Sequence, residues 1–285
     1  MNQAGQTLRI ATCQFAETFD PRRNAAAMCR FLRQAKERQA DIVHFHEACL
    51  SGYLALDKAP RAEEIDWAAV RQGTERLCQT AGELGLWVVL GSSHPLSPPH
   101  KPTNCLYLIG PDGTLRDRYD KRFLTAADLA VYSPGDHAVT FELNGLRCAL
   151  LICFDLRFPE LYRQLCRLGA QVIFQSFHNG YMDGPGIHEQ IMRQTVQAQA
   201  GMNGLWISAN NSSARFSRWP SVFVTPDGAI AATLRQNAAG MMVNTVDPSV
   251  QFYDPSAPFR AAAIEGATHN GVCVQDSRRE DRLSF

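Results

Sequence analysis

The fold is organised around the stretch CALLICFDLRFPE, residues Cys148 to Glu160. Its first half is a continuous apolar run, which is typical of a buried strand. Pro159 and Glu160 suit the first turn of a helix, where a missing N–H costs nothing and a carboxylate is stabilised by the helix dipole. Cys153 is therefore predicted to lie where a strand gives way to a helix, and main-chain N–H groups and the dipole would favour its thiolate there. The alternative is that Cys153 is a buried, inert cysteine.

The composition is that of an ordinary globular protein. The chain has 285 residues, of which 45% are hydrophobic and 20% charged, and its formal net charge is zero. A neutral chain has no general electrostatic attraction for nucleic acid or for an anionic membrane. The N-terminus lacks the apolar core of a signal peptide, and no segment is long and apolar enough to span a bilayer. The sequence thus predicts neither a nucleic-acid partner nor a membrane partner.

The nine cysteines are scattered along the chain, and no two of them form a C-x-x-C pair. An odd number without regular spacing does not fit a secreted disulfide framework or a zinc ribbon. This pattern favours a reducing compartment, so we expect a cytoplasmic location.

Strands are predicted to alternate with helices. The strand-like segments are residues 8–15, 41–45, 86–90, 104–109, 114–118, 139–143, 146–152, 171–175, 205–209, 222–225, 229–233 and 241–246. Helical patterns begin at Pro21, with Asp20 as N-cap, and cover residues 67–84 and 187–202. Gly85 is expected to end the second helix and Gly91 the strand after it. Three pairs of neighbouring strands are joined by turn sequences, Pro111-Asp112-Gly113, Asn144-Gly145 and Pro226-Asp227-Gly228. The chain is therefore α/β, with a mixed sheet or two sheets and helices on the outer faces.

Three polar residues directly follow or end apolar, strand-like segments. They are Glu47, Lys121 and Cys153. Separately, Glu47 is explained as a turn cap and Lys121 as a solvated charge. Together they could catalyse nucleophilic attack by the thiol, because a carboxylate can take the proton of a thiol and a lysine can stabilise an oxyanion.

The chain resembles the nitrilase superfamily of carbon–nitrogen hydrolases from about Ala11 to Asp247. The matching motifs are HEACLSGY at 46–53, YDKRF at 119–123, CFDLRFPE at 153–160, SANN at 208–211 and SVFVTPDG at 221–228. The resemblance implies an α/β fold, a four-layer αββα sandwich with two mixed sheets. We expect this hydrolase domain over residues 1–260, followed by an irregular C-terminal tail over residues 261–285.

The resemblance also implies the roles of individual residues. Glu47 would be the general base, Lys121 an oxyanion stabiliser and Cys153 the nucleophile, with the main-chain N–H of Phe154 as second oxyanion donor. Asp155, Arg157 and Glu160 would order the turn and the helix start beneath the nucleophile. The expected reaction is hydrolysis of a non-peptide C–N bond in a small molecule, a linear amide, without metal or organic cofactor. N-carbamoyl amides and nitriles are alternatives that share the triad, and a catalytically weak binding protein is a third. The resemblance implies a homodimer or a higher homo-oligomer.

The chain departs from the family pattern at several positions. Many relatives carry a second glutamate six residues before a Pro-Gly, where this chain has Asp128. Asp128 is predicted as a fourth site residue, the alternative being a loop acid or helix cap. His178 and Asn179 are candidate substrate readers or part of a surface loop, and Tyr53 lines the entrance or merely packs.

His46 stands where relatives commonly have proline, and it suggests a metal site. His44 and His46 are two residues apart on a strand and would share one face. With His178 or His188 they would make a zinc hydrolase conceivable. The pattern is unspecific, because no H-E-x-x-H motif accompanies it.

Overall fold

A computed structural model describes residues 7–181, 184 and 186–283. The strands are β1 (Leu8–Gln14), β2 (Ile42–Phe45), β3 (Trp87–His94), β4 (Thr103–Ile109), β5 (Leu115–Asp120), β6 (Thr140–Leu143), β7 (Leu146–Ile152), β8 (Val172–Phe177), β9 (Trp206–Asn211), β10 (Val222–Val224), β11 (Ile230–Thr233) and β12 (Gly240–Val246). The helices are α1 (Pro21–Glu37), α2 (Trp67–Leu84), α3 (Ala126–Val131), α4 (Pro159–Arg167), α5 (Ile187–Asn203), α6 (Ala257–Ile264) and α7 (Ser277–Glu280), with 3-10 turns at Ala62–Glu64 and Cys153–Arg157. Among the helices of these residues, none has the length and apolar character needed to cross a membrane.

The strands form two six-stranded mixed sheets. The first has the order β12-β1-β2-β3-β4-β5 and the second the order β11-β10-β9-β8-β7-β6. β1, β2 and β3 are parallel in the first sheet, and β7, β8 and β9 are parallel in the second. The outer strands of both sheets pair antiparallel, as the hairpin turns require. The prediction of two mixed sheets is confirmed.

Two hydrophobic cores arrange these sheets in layers. Alternate residues of one strand enter different cores, since successive side chains of a strand point to opposite faces. Ile10 of β1 lies in the core that the two sheets share, together with Leu150 of β7. Its neighbour Ala11 lies in the core between the first sheet and α1 and α2, beside Leu32 and Leu77. The second sheet packs its other face on α5. The order of layers is α, β, β, α, as expected for the sandwich.

Local sequence signals determine several element ends. The Asp20 carboxylate accepts hydrogen bonds from the N–H groups of Arg22 and Arg23, at 3.0 and 3.4 Å, and so caps α1. Gly85 ends α2 with a φ of +62°. The Asn144-Gly145 turn has φ values of +50° and +76°, as a tight hairpin between β6 and β7 demands.

Three elements differ from the sequence-based expectation. β3 does not stop at Gly91 but continues to His94. Gly91 is required there because a Cβ would lie 2.0 Å from the carbonyl oxygen of His46. The short helix α3 was not expected; Thr125 and Asp128 form its capping box. An unexpected 3-10 turn, Cys153–Arg157, intervenes between β7 and α4, whereas α4 itself begins at Pro159 as predicted.

The chain divides into two compact units, Met1–Tyr253 and Asp254–Phe285. The first contains both sheets with α1 to α5. The second contains α6 and α7, neither of which has a buried residue.

Candidate active site

The ends of three strands bring Glu47, Lys121 and Cys153 together. Glu47 follows β2, Lys121 follows β5 directly, and Cys153 follows β7 directly. The Lys121 Nζ donates a hydrogen bond of 2.8 Å to Glu47 Oε1, and both side chains are fully buried. Cys153 is 8% exposed, and its thiol interacts electrostatically with both. Residues that are far apart in sequence thus share one buried site.

The two oxygens of the Glu47 carboxylate have different surroundings. Oε1 accepts from Lys121 and also from the Asn104 Nδ2, at 2.7 Å. Oε2 is buried and has no hydrogen-bond partner among the residues described. This oxygen is therefore free to accept a hydrogen bond or a proton, since none of its lone pairs is matched by a donor in the described part of the chain. Asn104, on β4, was not identified from the sequence, since no motif contains it.

Asp128 lies on the other side of the lysine. Its Oδ2 accepts from Lys121 Nζ at 2.9 Å and from the Thr125 N–H at 3.0 Å. Its Oδ1 accepts from the Tyr53 hydroxyl at 2.6 Å. The residue is therefore both the cap of α3 and a partner of the lysine, so the two sequence interpretations are not exclusive. The shorter side chain of an aspartate can reach the Lys121 Nζ because α3 places Asp128 close to it.

Lys121 is held as a cation between these acids. Burial opposes its charge, but the carboxylates of Glu47 and Asp128, which both accept from Nζ, outweigh burial and hold the pKa of Lys121 well above its ordinary value. Burial likewise opposes ionisation of Asp128, yet the charge of Lys121 and the Tyr53 hydroxyl keep the pKa of this carboxyl below its usual range. A lysine in this state cannot serve as the base; it can stabilise negative charge.

The main chain at Cys153 is held in a strained conformation. Its φ is +43°, in the left-handed region that costs a non-glycine residue about 1–3 kcal/mol. Asp155 holds the turn: its Oδ2 accepts from the Ile152 N–H at 3.0 Å and from the Tyr119 hydroxyl at 2.7 Å. Its Oδ1 accepts from the Phe123 N–H at 2.9 Å. Asp155 therefore joins the 3-10 turn that begins at Cys153 to the segment around Lys121.

The protonation state of Cys153 differs from the expectation. Burial raises the pKa of the thiol well above its ordinary value, and Glu47 and Asp128 raise it further. Lys121 and a main-chain hydrogen bond from His178 oppose this rise without reversing it. The prediction that the turn favours the thiolate is wrong for the resting protein, because desolvation exceeds the effect of the backbone dipoles. The thiol needs a base.

A cavity of about 200 Å³ opens beside the thiol. The four residues predicted to contact substrate all line it: Tyr53, Phe154, His178 and Asn179. His178 and Asn179 are each only 4% exposed, so the alternative of a surface loop is wrong for these side chains. The Asn179 Nδ2 lies 3.8 Å from Cys153 Sγ, and its Oδ1 accepts from Trp219 Nε1 at 2.6 Å.

Arg157 also lines this cavity, which the sequence did not indicate. Its side chain is exposed, and no hydrogen bond joins it to a described residue. Of the three residues expected to order the turn beneath the nucleophile, Asp155 does so through its hydrogen bonds to the main chain.

A second buried cluster lies next to the first and was missed by sequence analysis. Glu17, which is 2% exposed, contacts His178 Nε2 with Oε1 at 2.7 Å and His46 Nε2 with Oε2 at 3.0 Å. The Ser212 hydroxyl donates to the same Oε2 at 2.5 Å. The presence of histidine at position 46, where relatives commonly carry proline, was the signal available in the sequence. The structure explains it as a contact with Glu17.

The pKa values of the two histidines in this cluster shift in opposite directions. Burial disfavours the imidazolium of His178, but Glu17 outweighs burial and raises its pKa above the ordinary value. At His46 burial prevails over the same carboxylate and lowers the pKa. Burial also opposes the charge of Glu17, yet the two histidines hold its pKa well below normal. These pKa shifts favour charge on Glu17 and His178, which lie 2.7 Å apart, and disfavour charge on His46.

His44 and His46, which the sequence offered as an alternative metal-binding pair, have different partners. The His44 Nδ1 hydrogen-bonds the Ser208 hydroxyl at 2.8 Å, and its Nε2 the Ser176 hydroxyl at 2.9 Å. Burial lowers the pKa of His44 to about 3. Within the described part of the chain, no group of three or more histidine, cysteine or acidic residues is arranged to hold a metal ion. The side chain of His188 lies outside the described residues.

Comparison with known proteins agrees with this geometry. The sequence profile of the carbon–nitrogen hydrolase family matches residues 9–253. The omega-amidase NIT2 of Homo sapiens is 28% identical over 240 residues, which is 79% of this chain and 84% of the relative. A hydrolase of Mycobacterium tuberculosis is 33% identical over 192 residues, or 64% of this chain and 65% of the relative.

Solved structures share the fold. An amidase from Nesterenkonia sp. AN1, in complex with butyramide, superimposes with a TM-score of 0.74 at 22% identity, covering 85% of this chain and 92% of that one. A second structure of that amidase carries the acetamide moiety of fluoroacetamide covalently at its active-site cysteine. It superimposes with a TM-score of 0.76 at 21% identity, over 93% of this chain and 95% of that one.

Proposed function

We propose that this chain, which belongs to the carbon–nitrogen hydrolase family, hydrolyses a small linear amide through a thioester on Cys153. The observation that carries the proposal is the division of labour around Lys121. The lysine is fixed as a cation by Glu47 and Asp128, at 2.8 and 2.9 Å, while the second oxygen of Glu47 remains without a partner. Glu47 is thereby available as a base next to the Cys153 thiol, which needs one. The amidase activities named for a relative and for a structural neighbour support amides as the substrate class.

Acylation begins when Glu47 Oε2 takes the proton of Cys153. The sulfur attacks the amide carbon, and the C–S bond forms as the carbonyl electrons move to oxygen. Lys121 and the Phe154 N–H stabilise this oxyanion. The C–N bond then breaks, and ammonia leaves with the proton held by Glu47.

Deacylation uses the same groups in the reverse roles. A water molecule gives a proton to Glu47 and attacks the thioester carbon. The same donors stabilise the second oxyanion. The C–S bond breaks, the carboxylic acid leaves, and the sulfur recovers its proton from Glu47. These steps need no redox partner, and one water is consumed for each ammonia released.

Cys153→Ala tests the nucleophile assignment. We expect the wild-type protein to release ammonia from a panel of linear amides and to show an acyl adduct by intact mass after rapid quenching. Cys153→Ala should lose both signals. Cys273→Ala, at an exposed cysteine, is the matched control and should retain both. Undiminished turnover in Cys153→Ala would refute the assignment.

The substrate panel should also contain N-carbamoyl amides and nitriles, because the triad does not separate these substrates from amides. Faster ammonia release from either class would replace the amide proposal. A folded protein that turns over none of them and whose Cys153 resists iodoacetamide at alkaline pH would instead be a binding protein of the same fold.

We further propose a homodimer or a higher homo-oligomer in the cytoplasm, with no nucleic-acid or membrane partner. The family resemblance supports self-association, and the nine free cysteines support a reducing compartment. Light scattering on the purified full-length chain tests the oligomer, and a monomeric mass at micromolar concentration would contradict it.

A further inference from the structure

The side chain of Asn179 is fixed in one orientation beside the nucleophile. Its Oδ1 accepts a hydrogen bond of 2.6 Å from Trp219 Nε1, and its Nδ2 lies 3.8 Å from Cys153 Sγ. An indole N–H only donates, so the atom that it contacts must be the carbonyl oxygen of the amide. A rotated amide would bring two N–H groups together in a buried site and leave both without an acceptor. The NH2 group of Asn179 therefore faces the sulfur.

Both hydrogens of this NH2 group have an acceptor in the structure. The Asn179 Nδ2 donates to the His178 carbonyl oxygen at 3.1 Å and contacts Cys153 Sγ at 3.8 Å, a distance that the large sulfur atom allows. An amide NH2 group carries two donors. These contacts commit the donors of Asn179 to the protein, and to the nucleophile in particular, before any substrate is bound.

A second asparagine holds this arrangement together. Asn211 ends β9 and belongs to the motif SANN at 208–211, to which the proposed reaction assigns no role. Its Oδ1 accepts from the Asn179 N–H at 2.8 Å, and its Nδ2 donates to the Trp219 carbonyl oxygen at 2.7 Å. All three residues are buried. Asn211 thus fixes the main chain of Asn179 and of Trp219, and the indole of Trp219 fixes the amide.

The contact between Asn179 and the sulfur changes in strength with the charge of the sulfur. A neutral thiol is a weak acceptor, whereas a hydrogen bond to an ionised acceptor is shorter and roughly twice as strong. The reaction proposed for Cys153 forms a thiolate twice, when Glu47 removes the proton and when the C–S bond of the thioester breaks. An interaction that strengthens as this charge develops lowers the barrier, whereas one of constant strength does not.

Other groups around the sulfur act on its charge in both directions. The titratable groups that face it are Glu47, Lys121, Asp128 and Tyr53. Burial and the two carboxylates oppose ionisation of Cys153, and the lysine favours it. The main-chain N–H of His178 and the Nδ2 of Asn179 are neutral donors on the residues directly after β8. Such donors stabilise a thiolate without adding a charge that pairs with the base.

We infer that Asn179 is a catalytic residue that donates a hydrogen bond to the Cys153 sulfur as the thiolate develops. Trp219 and Asn211 are positioning residues: the first orients the amide, and the second holds the main chain on either side of it. The inference deepens the proposed function, on whose nucleophile it rests. It adds no covalent step to the reaction, since Asn179 keeps its protons throughout.

Alkylation of Cys153 by iodoacetamide measures the thiolate without any amide substrate. Asn179→Leu removes the donor from a side chain of similar size. A hydrogen bond to a charged acceptor contributes about tenfold to an ionisation equilibrium, so the alkylation profile should move to higher pH by about one pH unit. A more basic thiolate is also intrinsically more nucleophilic, so we expect the rate at pH 8 to fall by only about threefold to tenfold. An unchanged profile would overturn the inference.

Trp219→Phe separates the orientation of the amide from donation by it. Phenylalanine keeps an aromatic ring against Phe177, which Trp219 contacts at 4.7 Å between centroids, but it lacks the N–H that holds Asn179 Oδ1. The amide can then rotate, so the profile should move in the same direction by a smaller amount. In an Asn179→Leu background, Trp219→Phe should cause no further change, because the side chain that it orients is gone. Additive shifts would refute Trp219 as a positioning residue.

Trp206→Phe is the matched control. Trp206 lies on β9 and packs on Phe223 and Phe252, with ring centroids 5.8 and 5.3 Å apart. The same substitution there removes an indole from the hydrophobic core and should leave the wild-type alkylation profile, with the label mapped by mass to Cys153. A shift as large as that of Trp219→Phe would show that lost packing moves the profile, and it would overturn the role of Trp219.

Failure of the proposed function gives a different pattern. If the wild type hydrolyses no amide and the profile of Asn179→Leu shifts as expected, the substrate proposal fails and the contact with the sulfur stands. If the wild type hydrolyses amides and Cys153→Ala does not, but Asn179→Leu is alkylated like the wild type, only the inference fails. If either Asn179→Leu or Trp219→Phe does not fold, the other variant decides.

Discussion

Glu47, the residue that would remove the proton of the Cys153 thiol, also disfavours the thiolate electrostatically. Glu47 raises the pKa of the thiol, after burial itself, whereas Lys121 lowers it. Burial and Glu47 together therefore favour the protonated thiol in the resting site. This arrangement protects a reactive sulfur from unspecific chemistry.

Glu47→Gln should therefore have opposite effects on two reactions of the same sulfur. Amide turnover should fall by roughly 100-fold or more, because the general base is lost. Alkylation by iodoacetamide should shift to lower pH, because the neutral amide no longer raises the pKa of the thiol. In the wild type the raised pKa keeps the thiol protonated at neutral pH, so its alkylation rate should still be rising above pH 9. A Cys273→Ala background removes the exposed cysteine, and mass mapping separates the label on Cys153 from label on the half-buried Cys78 and Cys166. An unchanged or slower alkylation profile in Glu47→Gln would contradict this electrostatic account.

The residues that the sequence predicted share one property. Glu47, Lys121 and Cys153 come just after strands, at positions that a pattern along the chain can mark. Glu17 and Asn104 have no such mark. Glu17 meets His178 across 161 positions and Asn104 meets Glu47 across 57, so only the folded chain reveals them. Protonation of Cys153 was mispredicted for the same reason, since burial is a property of the fold.

At the scale of elements, turns and helix caps can be predicted from neighbouring residues in the sequence, whereas close contacts between elements cannot. The Asn144-Gly145 hairpin and the Asp20 cap depend on neighbouring residues and were predicted correctly. Gly91 was mistaken for a strand end because its partner, the main chain at His46, lies 45 positions earlier. Helix α3 escaped notice because six residues are too few to show a helical period.

Gly91→Ala tests how closely β3 must approach the segment that carries Glu47. A Cβ would lie 2.0 Å from the His46 carbonyl oxygen and 2.9 Å from the Ala48 nitrogen, so this segment must move. A shift of about 1 Å in the base is enough to lower kcat/KM by roughly 100-fold. Gly145→Ala is the control: its φ is +76° but nothing lies within 4 Å, so it should lower the melting temperature without changing kcat/KM per folded molecule. Equal activity in both variants would exclude a positioning role for Gly91.

At the scale of the whole molecule, the proposed site draws on both sheets. Glu47, Lys121 and Asp128 follow strands of the first sheet, and Cys153 and His178 follow strands of the second. Polar contacts between the facing sheets, such as Thr12 to Ser208 at 2.8 Å, fix the relative position of these strand ends. Catalysis would therefore depend on how the sheets pack as well as on the loops.

Removal of the second compact unit tests whether the first is sufficient. Every residue assigned to the proposed chemistry lies in Met1–Tyr253, and α6 and α7 of Asp254–Phe285 bury no side chain. Because little apolar area is lost with that unit, a chain ending at Tyr253 should fold cooperatively. We expect its kcat/KM for amides to remain within about threefold of the full-length value, which is close to neutral on the free-energy scale. Light scattering on both proteins shows whether any loss of activity is accompanied by a change in oligomeric state. A folded truncated chain of unchanged oligomeric state that has lost more than roughly 100-fold in kcat/KM would show that the site extends into the second unit, a cost too large for an uninvolved tail.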